Sequence, residues 1–257
     1  MGLILETNAS RCLYDRYLST HFASLHRVSR ATLEKERRVW EDYFGRFLPA
    51  DKSARIVDLG CGYGSFLYFL HTRGYKDIRG VDRSAEQVAA ARKLGINHIS
   101  QDDCRGFLEN QSDEFDCLTA IDLLEHFPKE EVLSLLRAIH GALRPGGKLI
   151  LRVPNADGPF GAKILYADLT HELAFTPFSI RQALAVAGFE RAQLYAEGPR
   201  VHGFLSAARW LAWQGICALM LLYLAAETGR LRGHILTQNL IAVAHKPRHT
   251  ALGASPR

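Results

Sequence analysis

From residue 54 onward, short runs of β-branched and other apolar residues alternate with longer segments whose apolar positions recur at helical spacing. This alternation is typical of a parallel sheet whose strands are connected by helices. It predicts seven strands, at Arg55–Leu59, Ile78–Asp82, Asn97–Ser100, Phe115–Ile121, Lys148–Val153, Arg191–Ala196 and Leu240–His245. It also predicts helices near Gly64–Thr72, Ser84–Leu94, Lys129–Leu143 and Ser179–Ala187. The pattern therefore indicates an α/β protein.

Local signals support several of these boundaries. Ser84 is a typical helix N-cap, and Gly95 is placed to end the helix that Ser84 begins. The run Arg144-Pro-Gly-Gly is expected to end the helix before the fifth strand.

The chain divides into five predicted segments. Apolar residues such as Leu13, Tyr17, Phe22 and Leu25 recur at helical spacing before the first strand, so we expect a helical arm that packs on the sheet edge or covers a pocket. The predicted organisation is an arm at 1–50, a core at 51–198, an apolar helical insertion at 199–236, the final strand of the core at 237–247 and a flexible tail at 248–257.

Composition and charge narrow the class of protein. With 257 residues, 47% of them hydrophobic and 23% charged, the chain should bury a sizeable core. Its net charge of +5 is uneven, because residues 1–190 carry 24 basic and 25 acidic side chains and residues 191–257 carry 8 and 2. The basic excess lies beside the longest apolar run, which favours a membrane surface or a partner over nucleic acid.

Cysteine and histidine usage gives further expectations. The five cysteines contain no C-x-x-C pair, so neither a zinc ribbon nor a disulfide framework is predicted. The first residues show no basic segment followed by a long apolar one, and a cytoplasmic setting is therefore expected. No pair of the eleven histidines at i, i+4 spacing has a third metal ligand near it in the sequence, so no metal site is predicted.

The sharpest chemical signal is a glycine-rich turn after the first strand. Gly60, Gly62 and Gly64 let a ligand approach the backbone, and the following helix N-terminus favours an anionic group. The spacing G-x-G-x-G differs from the dinucleotide fingerprint G-x-G-x-x-G. Asp58, two residues before the turn, would repel a pyrophosphate but suits a ligand that carries an ammonium group.

Two more acids follow the next two strands. Asp82 ends the second strand, where a carboxylate can accept hydrogen bonds from both hydroxyls of a ribose. Asp103 follows the third strand and is placed to meet an adenine amino group. Three acids at successive strand ends indicate one nucleoside-containing ligand.

These segments resemble the class I S-adenosylmethionine-dependent methyltransferases. The resemblance continues through Asp122-Leu-Leu-Glu125-His126 and through the turn before the fifth strand, and it covers most of the chain. It implies a Rossmann-like sheet of seven strands with helices on both faces. It also implies that the last strand is antiparallel and lies between the fifth and sixth.

The same resemblance implies S-adenosyl-L-methionine as cofactor. The three glycines of the turn would then line its methionine part, and Asp58 would face its amino group. Asp82 would hold the ribose, Arg83 would lie beside the adenine, and Asp103 and Cys104 would flank the base. Cys61 and Asp122 complete the predicted cofactor-binding set.

The segment after the fifth strand is expected to face the methyl acceptor, because ligands bind beyond the carboxyl ends of parallel strands. It concentrates titratable groups, among them His171, the candidate general base. Glu172 or Asp168 could orient this imidazole. Two other roles stay open for His171: capping the helix near Ser179, or bonding to a loop carbonyl.

His126 is interpreted as a structural or cofactor-lining residue. The stretch Asp168 to Pro177 resembles methyltransferases of surface-polysaccharide and other glycoconjugate pathways, and it is also similar to the quinone O-methyltransferases.

The apolar insertion has the composition of a membrane segment. Phe204 to Ala226 is 23 residues long with one charge. A single span would leave the last strand on the wrong side of the bilayer, so the insertion either forms a helical hairpin or stays on one side. Its predicted polar face contains His202, Ser206 and Arg209, and the arginines that flank the run and could approach anionic lipid are Arg200, Arg230 and Arg232.

Three interpretations of the insertion remain open: a helix in the membrane interface, a homodimer contact through 203–227, or an internal helix that covers the sheet. The first would associate a cytoplasmic protein with the inner face of the membrane.

The sequence thus predicts methyl transfer to a hydroxyl of a small-molecule or glycan acceptor, including a lipid-linked sugar, and no nucleic-acid substrate. Three alternatives are N- or C-methylation of a small molecule, a catalytically silent cofactor-binding protein, and a nicotinamide-dependent oxidoreductase. The spacing of Asp58 and the glycines disfavours the last.

Overall fold

The computed structural model describes residues 13–22, 28–230 and 232–248. Leu25 of the predicted arm, Cys12 and residues 249–257 of the predicted tail lie outside the described residues.

A single seven-stranded sheet forms the centre of the molecule. Its strands are β1 Ile56–Leu59, β2 Ile78–Asp82, β3 Ile99–Gln101, β4 Phe115–Ile121, β5 Leu143–Pro154, β6 Glu190–Ala196 and β7 Asn239–His245. The strand order is β3-β2-β1-β4-β5-β7-β6. All pairings are parallel except those of β7, which runs antiparallel to both β5 and β6. The predicted fold class is confirmed, including the position of the antiparallel strand.

After a helical turn at residues 13–15, eight α-helices accompany the sheet within the described residues. They are α1 Arg30–Phe44, α2 Ser65–Thr72, α3 Ala85–Lys93, α4 Cys104–Glu109, α5 Lys129–Ala142, α6 Gly161–Leu165, α7 Pro177–Val186 and α8 Phe204–Thr228. A π-helical turn at Leu18–Phe22 precedes them, and a 3₁₀ turn at Leu124–His126 follows β4.

Successive strand residues contribute to two hydrophobic cores, one on each face of the sheet. In β1, Ile56 packs with residues of α1 and α2, whereas the next residue, Val57, packs with residues of α5 and α7. Cys117 and Leu118 of β4 divide in the same way. Because both faces are covered, residues that point to either face of the central strands are buried, which explains why these strands do not alternate between apolar and polar positions.

The predicted strand and helix boundaries lie within two residues of the observed ones except at the start of β5, and the starts of β5 and α7 differ for identifiable reasons. The run Arg144-Pro-Gly-Gly lies inside β5, because Leu143 already pairs with Phe115 directly after α5 ends at Ala142. α7 begins at Pro177, two residues early, because Thr176 forms a capping box with Ser179. Ser84 caps α3 as predicted, accepting a hydrogen bond from the Gln87 backbone N–H.

The described part of the arm makes two kinds of contact. α1 packs on α2 through rings, with the Trp40 and Phe44 rings each within 6 Å of the Phe66 ring. Residues 13–22, which we call the arm segment, lie over the carboxyl ends of the strands and contact the candidate site described below.

The insertion between β6 and β7 is one continuous helix, α8, and not a hairpin. Within α8 only Ser206 is buried. The interpretation as an internal helix is therefore wrong: the helix lies on the surface. The predicted polar face is also wrong, since α8 begins after His202 and the Ser206 hydroxyl bonds within the first turn, accepting from the His202 N–H and donating to the Gly203 carbonyl.

Candidate active site

The glycine turn lies between β1 and α2, at the carboxyl edge of the sheet. Gly60, Gly62 and Gly64 have φ angles of +67°, +55° and +82°, a region that L side chains rarely adopt. A Cβ on Gly60 would lie 2.7 Å from Cδ1 of Leu123. The turn therefore requires glycine for both its conformation and its space, and it leaves a smooth backbone surface for a ligand.

Asp82 holds this turn in place. One carboxylate oxygen accepts a 2.8 Å hydrogen bond from the Gly62 N–H, and the other accepts one of 2.8 Å from the Ser84 N–H. Burial raises the pKa of Asp82, and these two hydrogen bonds oppose that rise. Each oxygen keeps a second lone pair, which suits the predicted ribose hydroxyls.

Asp58 lies beneath the turn at the end of β1. It is 2% exposed and accepts a 2.6 Å hydrogen bond from the Thr119 hydroxyl. Desolvation raises its pKa to about 7. No Lys or Arg among the described residues forms an ion pair with it, so a cationic ligand group would supply the missing charge.

The predicted adenine side contains a ring contact that the sequence did not suggest. The Arg83 guanidinium lies 4.2 Å from the centroid of the Tyr14 ring in the arm segment. Asp103 caps α4 by accepting a hydrogen bond of 2.9 Å from the Arg105 N–H. Cys104 is buried next to it, and burial raises the pKa of its thiol to about 12, so this cysteine is not a nucleophile at neutral pH.

The other two predicted cofactor-binding residues have evident structural contacts. The Cys61 side chain is buried against Gly80, where an added Cβ would meet its Sγ at 2.7 Å. Asp122, just after β4, has a φ of +53° and forms a 3.0 Å ion pair with Arg152. Arg152 also pairs with Glu197, so it joins the ends of β4, β5 and β6.

On the acceptor side, two imidazoles from separate loops meet. The rings of His126 and His171 are 4.8 Å apart at an angle of 68°. The Glu172 N–H donates a 2.7 Å hydrogen bond to the Glu125 carbonyl, which fastens the loop after β5 to the turn after β4. The structure thus brings together residues that the sequence places far apart.

The hydrogen bond of His171 defines its tautomer. Its Nδ1 lies 3.1 Å from the carbonyl oxygen of Ile164. A carbonyl can only accept, so Nδ1 of the neutral ring carries the proton and Nε2 keeps a lone pair. Neither role left open for His171 is the observed one as stated: its ring bonds to a main-chain carbonyl, but that of Ile164 within α6 and not a loop carbonyl, and Thr176 caps α7.

Unlike His171, whose ring bonds to one carbonyl, His126 is oriented by a chain of side-chain hydrogen bonds. Its Nδ1 lies 2.9 Å from the Thr170 hydroxyl, which donates to Oδ1 of Asp168 at 2.7 Å. The other Asp168 oxygen accepts from the Tyr17 hydroxyl at 2.5 Å. Burial and the neighbouring His171 lower the pKa of His126 to about 4, so this ring is neutral at pH 7.

The predicted orienting acids therefore act differently from expectation. Asp168 fixes Thr170 and through it His126, and no described hydrogen bond joins Asp168 or Glu172 to the His171 ring. Thr170 and Tyr14 were not predicted as site residues, and Tyr17 was predicted only as part of the arm. The adjacency of Thr170 to His171 was the one available signal.

Glu125, His126 and His171 could hold a metal ion. Each offers one ligand atom, and these atoms lie within 4.8 Å of one another. The Glu125 side chain is 1% exposed, and its Oε2 has no hydrogen-bond partner among the described residues. The expectation of no ligand set rested on spacing within one helix, whereas this set is assembled from two loops.

Comparison with known proteins identifies the family. The family model described as a methyltransferase domain matches residues 32–194. The ubiquinone biosynthesis O-methyltransferase of Xanthomonas oryzae is 34% identical over 107 residues, which cover 40% of this chain and 44% of that protein. The enzyme of the same name from Aeromonas salmonicida is 29% identical over 138 residues, covering 45% and 57%. The chain thus matches about half the length of these curated relatives.

Solved structures share the fold. A SAM-dependent methyltransferase from Archaeoglobus fulgidus superposes with a TM-score of 0.63 and 18% identity, covering 85% of this chain and all of that one. A phosphoethanolamine N-methyltransferase from Haemonchus contortus, crystallised with S-adenosylhomocysteine, gives a TM-score of 0.57 at 15% identity, covering 91% and 60%.

The residues at the carboxyl edge fit this cofactor. The glycine turn presents backbone without Cβ atoms in a left-handed conformation, and the buried Asp58 carboxylate suits an ammonium group. When bound, S-adenosylmethionine supplies the methyl group. The chain therefore belongs to the methyltransferase domain family, and it shares its fold with solved S-adenosylmethionine-dependent methyltransferases.

Proposed function

We propose that the protein transfers the methyl group to a hydroxyl oxygen of a small-molecule or glycan acceptor, including a lipid-linked sugar, with His171 as general base. The observation that carries this proposal is the hydrogen bond from Nδ1 of His171 to the Ile164 carbonyl. It leaves the Nε2 lone pair available for a proton.

The chemistry requires such a group. The acceptor oxygen bonds to the methyl carbon while the carbon–sulfur bond breaks and its electron pair stays on sulfur. The hydroxyl proton passes to Nε2 of His171. A neutral amine attacks with its own lone pair and has less need of a base, so an imidazole with a fixed tautomer favours oxygen as the acceptor atom.

The surroundings of His171 support this role. His126 is neutral at working pH, so it places no second positive charge beside the imidazolium that forms. Two of the relatives described above are named as O-methyltransferases, which is consistent with transfer to oxygen.

The test compares His171→Asn with wild type. Asparagine retains a side-chain N–H that can donate to the Ile164 carbonyl but provides no base. Labelled-methyl transfer to phenols, sugar alcohols and amines should lose about 10²–10⁴-fold in turnover on the hydroxyl acceptors. The affinity for S-adenosylhomocysteine should stay within about twofold. The control, His98→Asn, replaces an exposed histidine before β3 and should keep full activity.

Chelation separates this role from metal ligation. Under the proposal, turnover persists after dialysis against EDTA. Loss of turnover that added Mg²⁺ or Zn²⁺ restores would instead make His171 a metal ligand and overturn its role as base. Full activity in His171→Asn, or methylation confined to amine or carbon acceptors, would contradict the proposal. Binding of S-adenosylhomocysteine with no turnover on any acceptor would favour the silent cofactor-binding alternative.

A further inference from the structure

The surface of α8 exposes more large apolar side chains than is usual for a helix of a folded α/β domain. The helix is 25 residues long, which corresponds to roughly 37 Å at 1.5 Å per residue. By length and composition it is apolar enough to cross a membrane, and none of its most apolar window is buried. Exposed apolar side chains on α8 include Phe204, Leu205, Leu211, Leu219, Leu222 and Tyr223.

These side chains share one face. Leu205, Leu219 and Tyr223 follow one another at spacings that keep them on one side of a helix, and Phe204, Leu211 and Leu222 form the adjacent row. Leu205 is 83% exposed and Leu219 is 70% exposed. We call these six residues the α8 apolar face. The described part of the chain does not cover this face.

Both ends of α8 are attached to the same domain. Before the helix, the Gly198 carbonyl accepts a hydrogen bond of 2.9 Å from the Tyr43 hydroxyl. After it, the Asn155 amide donates to the carbonyls of Ile235 and Thr237 at 2.5 and 2.7 Å. A helix that crossed a bilayer would have to return through residues 229–238, which contain no helix in their described part. Irregular backbone exposed to lipid is not tolerated, so α8 cannot span.

The charged residues within and next to α8 are mostly basic. Arg209, Arg230 and Arg232 are exposed, and no acid among the described residues forms an ion pair with them. Arg200 was predicted to approach anionic lipid, but its guanidinium forms an ion pair with Asp42 instead. Glu227 is the one acid in α8. A surface helix with an exposed apolar face and flanking unpaired arginines is complementary to an anionic lipid surface.

We infer that α8 docks the protein on an anionic membrane surface, with the helix axis in the membrane plane and the α8 apolar face inserted below the head groups. β6 runs in the same direction as β5, because β7 is antiparallel to both, so α8 leaves the sheet at the edge where the active site opens. The acceptor loop at this edge exposes Phe160, Tyr166 and Leu169. The acceptor site and the docking helix thus emerge from the same edge of the sheet.

The test uses the full chain and vesicles of phosphatidylcholine with roughly one third phosphatidylglycerol. Wild type should co-sediment with these vesicles and much less with pure phosphatidylcholine, and added salt should weaken binding. The triple variant Leu205→Asp, Leu219→Asp, Leu222→Asp should lose at least about tenfold in vesicle partitioning. Arg230→Gln with Arg232→Gln should lose roughly fivefold per arginine.

The matched control is Val186→Asp, an exposed apolar residue at the end of α7, which should bind as wild type does. Thermal melting and S-adenosylhomocysteine binding verify that every variant folds. Equal vesicle binding by wild type and the triple variant would overturn the inference. So would a wild-type dimer that binds no vesicles and that the triple variant converts to monomer, since the α8 apolar face would then be a subunit contact.

Discussion

The cofactor half and the acceptor half of this active site are built in different ways. At the ends of β1 and β2, the cofactor half is formed mainly by backbone groups. Three glycines adopt a left-handed conformation, and Asp82 accepts hydrogen bonds from two N–H groups within 20 residues along the chain. On the acceptor side, side chains bond to side chains across 44 residues from His126 to Thr170 and 151 residues from Tyr17 to Asp168. The first half is local, whereas the second depends on correct packing of three separate segments.

This comparison predicts that the two halves respond differently to substitution. Changes at the strand ends should alter cofactor binding and stability, and changes around the histidines should alter turnover or acceptor binding while the cofactor still binds. The His171→Asn experiment tests the acceptor half at its centre.

Titration of Asp58 should dominate the pH dependence of the cofactor half. Its pKa is about 7 in the folded protein against 3.8 ordinarily, so the folded state binds this proton more tightly than the unfolded state. Its contribution to stability is complete below about pH 4 and is lost as the pH rises through about 7. Between about pH 5 and about pH 8, wild type should lose on the order of 3 kcal/mol more than Asp58→Asn.

Urea unfolding of both proteins without cofactor measures this difference. Saturating S-adenosylmethionine should reduce it, because its ammonium group stabilises the charged carboxylate. The same pH dependence in wild type and Asp58→Asn would mean that another group is responsible.

Asp82→Ala should weaken binding of S-adenosylhomocysteine by about 10- to 100-fold, as expected for loss of one or two hydrogen bonds to a carboxylate. The substitution also leaves the Gly62 and Ser84 N–H groups without their acceptor, which loosens the glycine turn. Isothermal titration calorimetry gives the affinity. Asp51→Ala removes an exposed acid before β1 and serves as the control; an equal loss there would point to a general charge effect.

Tyr17→Phe should have the smallest effect and the most selective one. It removes the hydroxyl that bonds to Asp168 but keeps the ring that packs edge-on against His126. We expect the acceptor KM to rise about three- to tenfold with little change in cofactor affinity, because one charge-assisted hydrogen bond is lost. Steady-state kinetics with both substrates varied measures this. A larger change in cofactor affinity than in acceptor KM would assign the arm segment to the cofactor half.

The elements that the sequence predicted well are those with local causes. Ile78–Asp82 and Phe115–Ile121 match the observed strands because both are short, mostly buried segments rich in apolar residues. Ser84 caps α3 because its hydroxyl lies three residues before a backbone N–H. The glycine turn belongs to this group as well. β5 was predicted five residues short because its extension pairs with Phe115 in spite of a proline and two glycines.

The acceptor site was only partly predictable. His171 was singled out by its residue type and position, but its partner is the Ile164 carbonyl rather than an acid. Asp168 was expected to orient His171. It instead accepts a hydrogen bond from the Thr170 hydroxyl, which in turn bonds to the His126 ring. Backbone carbonyls carry no signature in a sequence, so this kind of partner cannot be read from residue types.

By itself, therefore, the sequence determined the α/β class, the strands and the glycine turn with its following acids, because hydrophobic periodicity, capping and turn conformation act over a few residues. Tertiary structure alone decided which groups orient His126 and His171, that Glu125 joins them, and that the α8 apolar face lies on the surface. These outcomes depend on which distant segments pack together, and that is settled by burial across the whole fold.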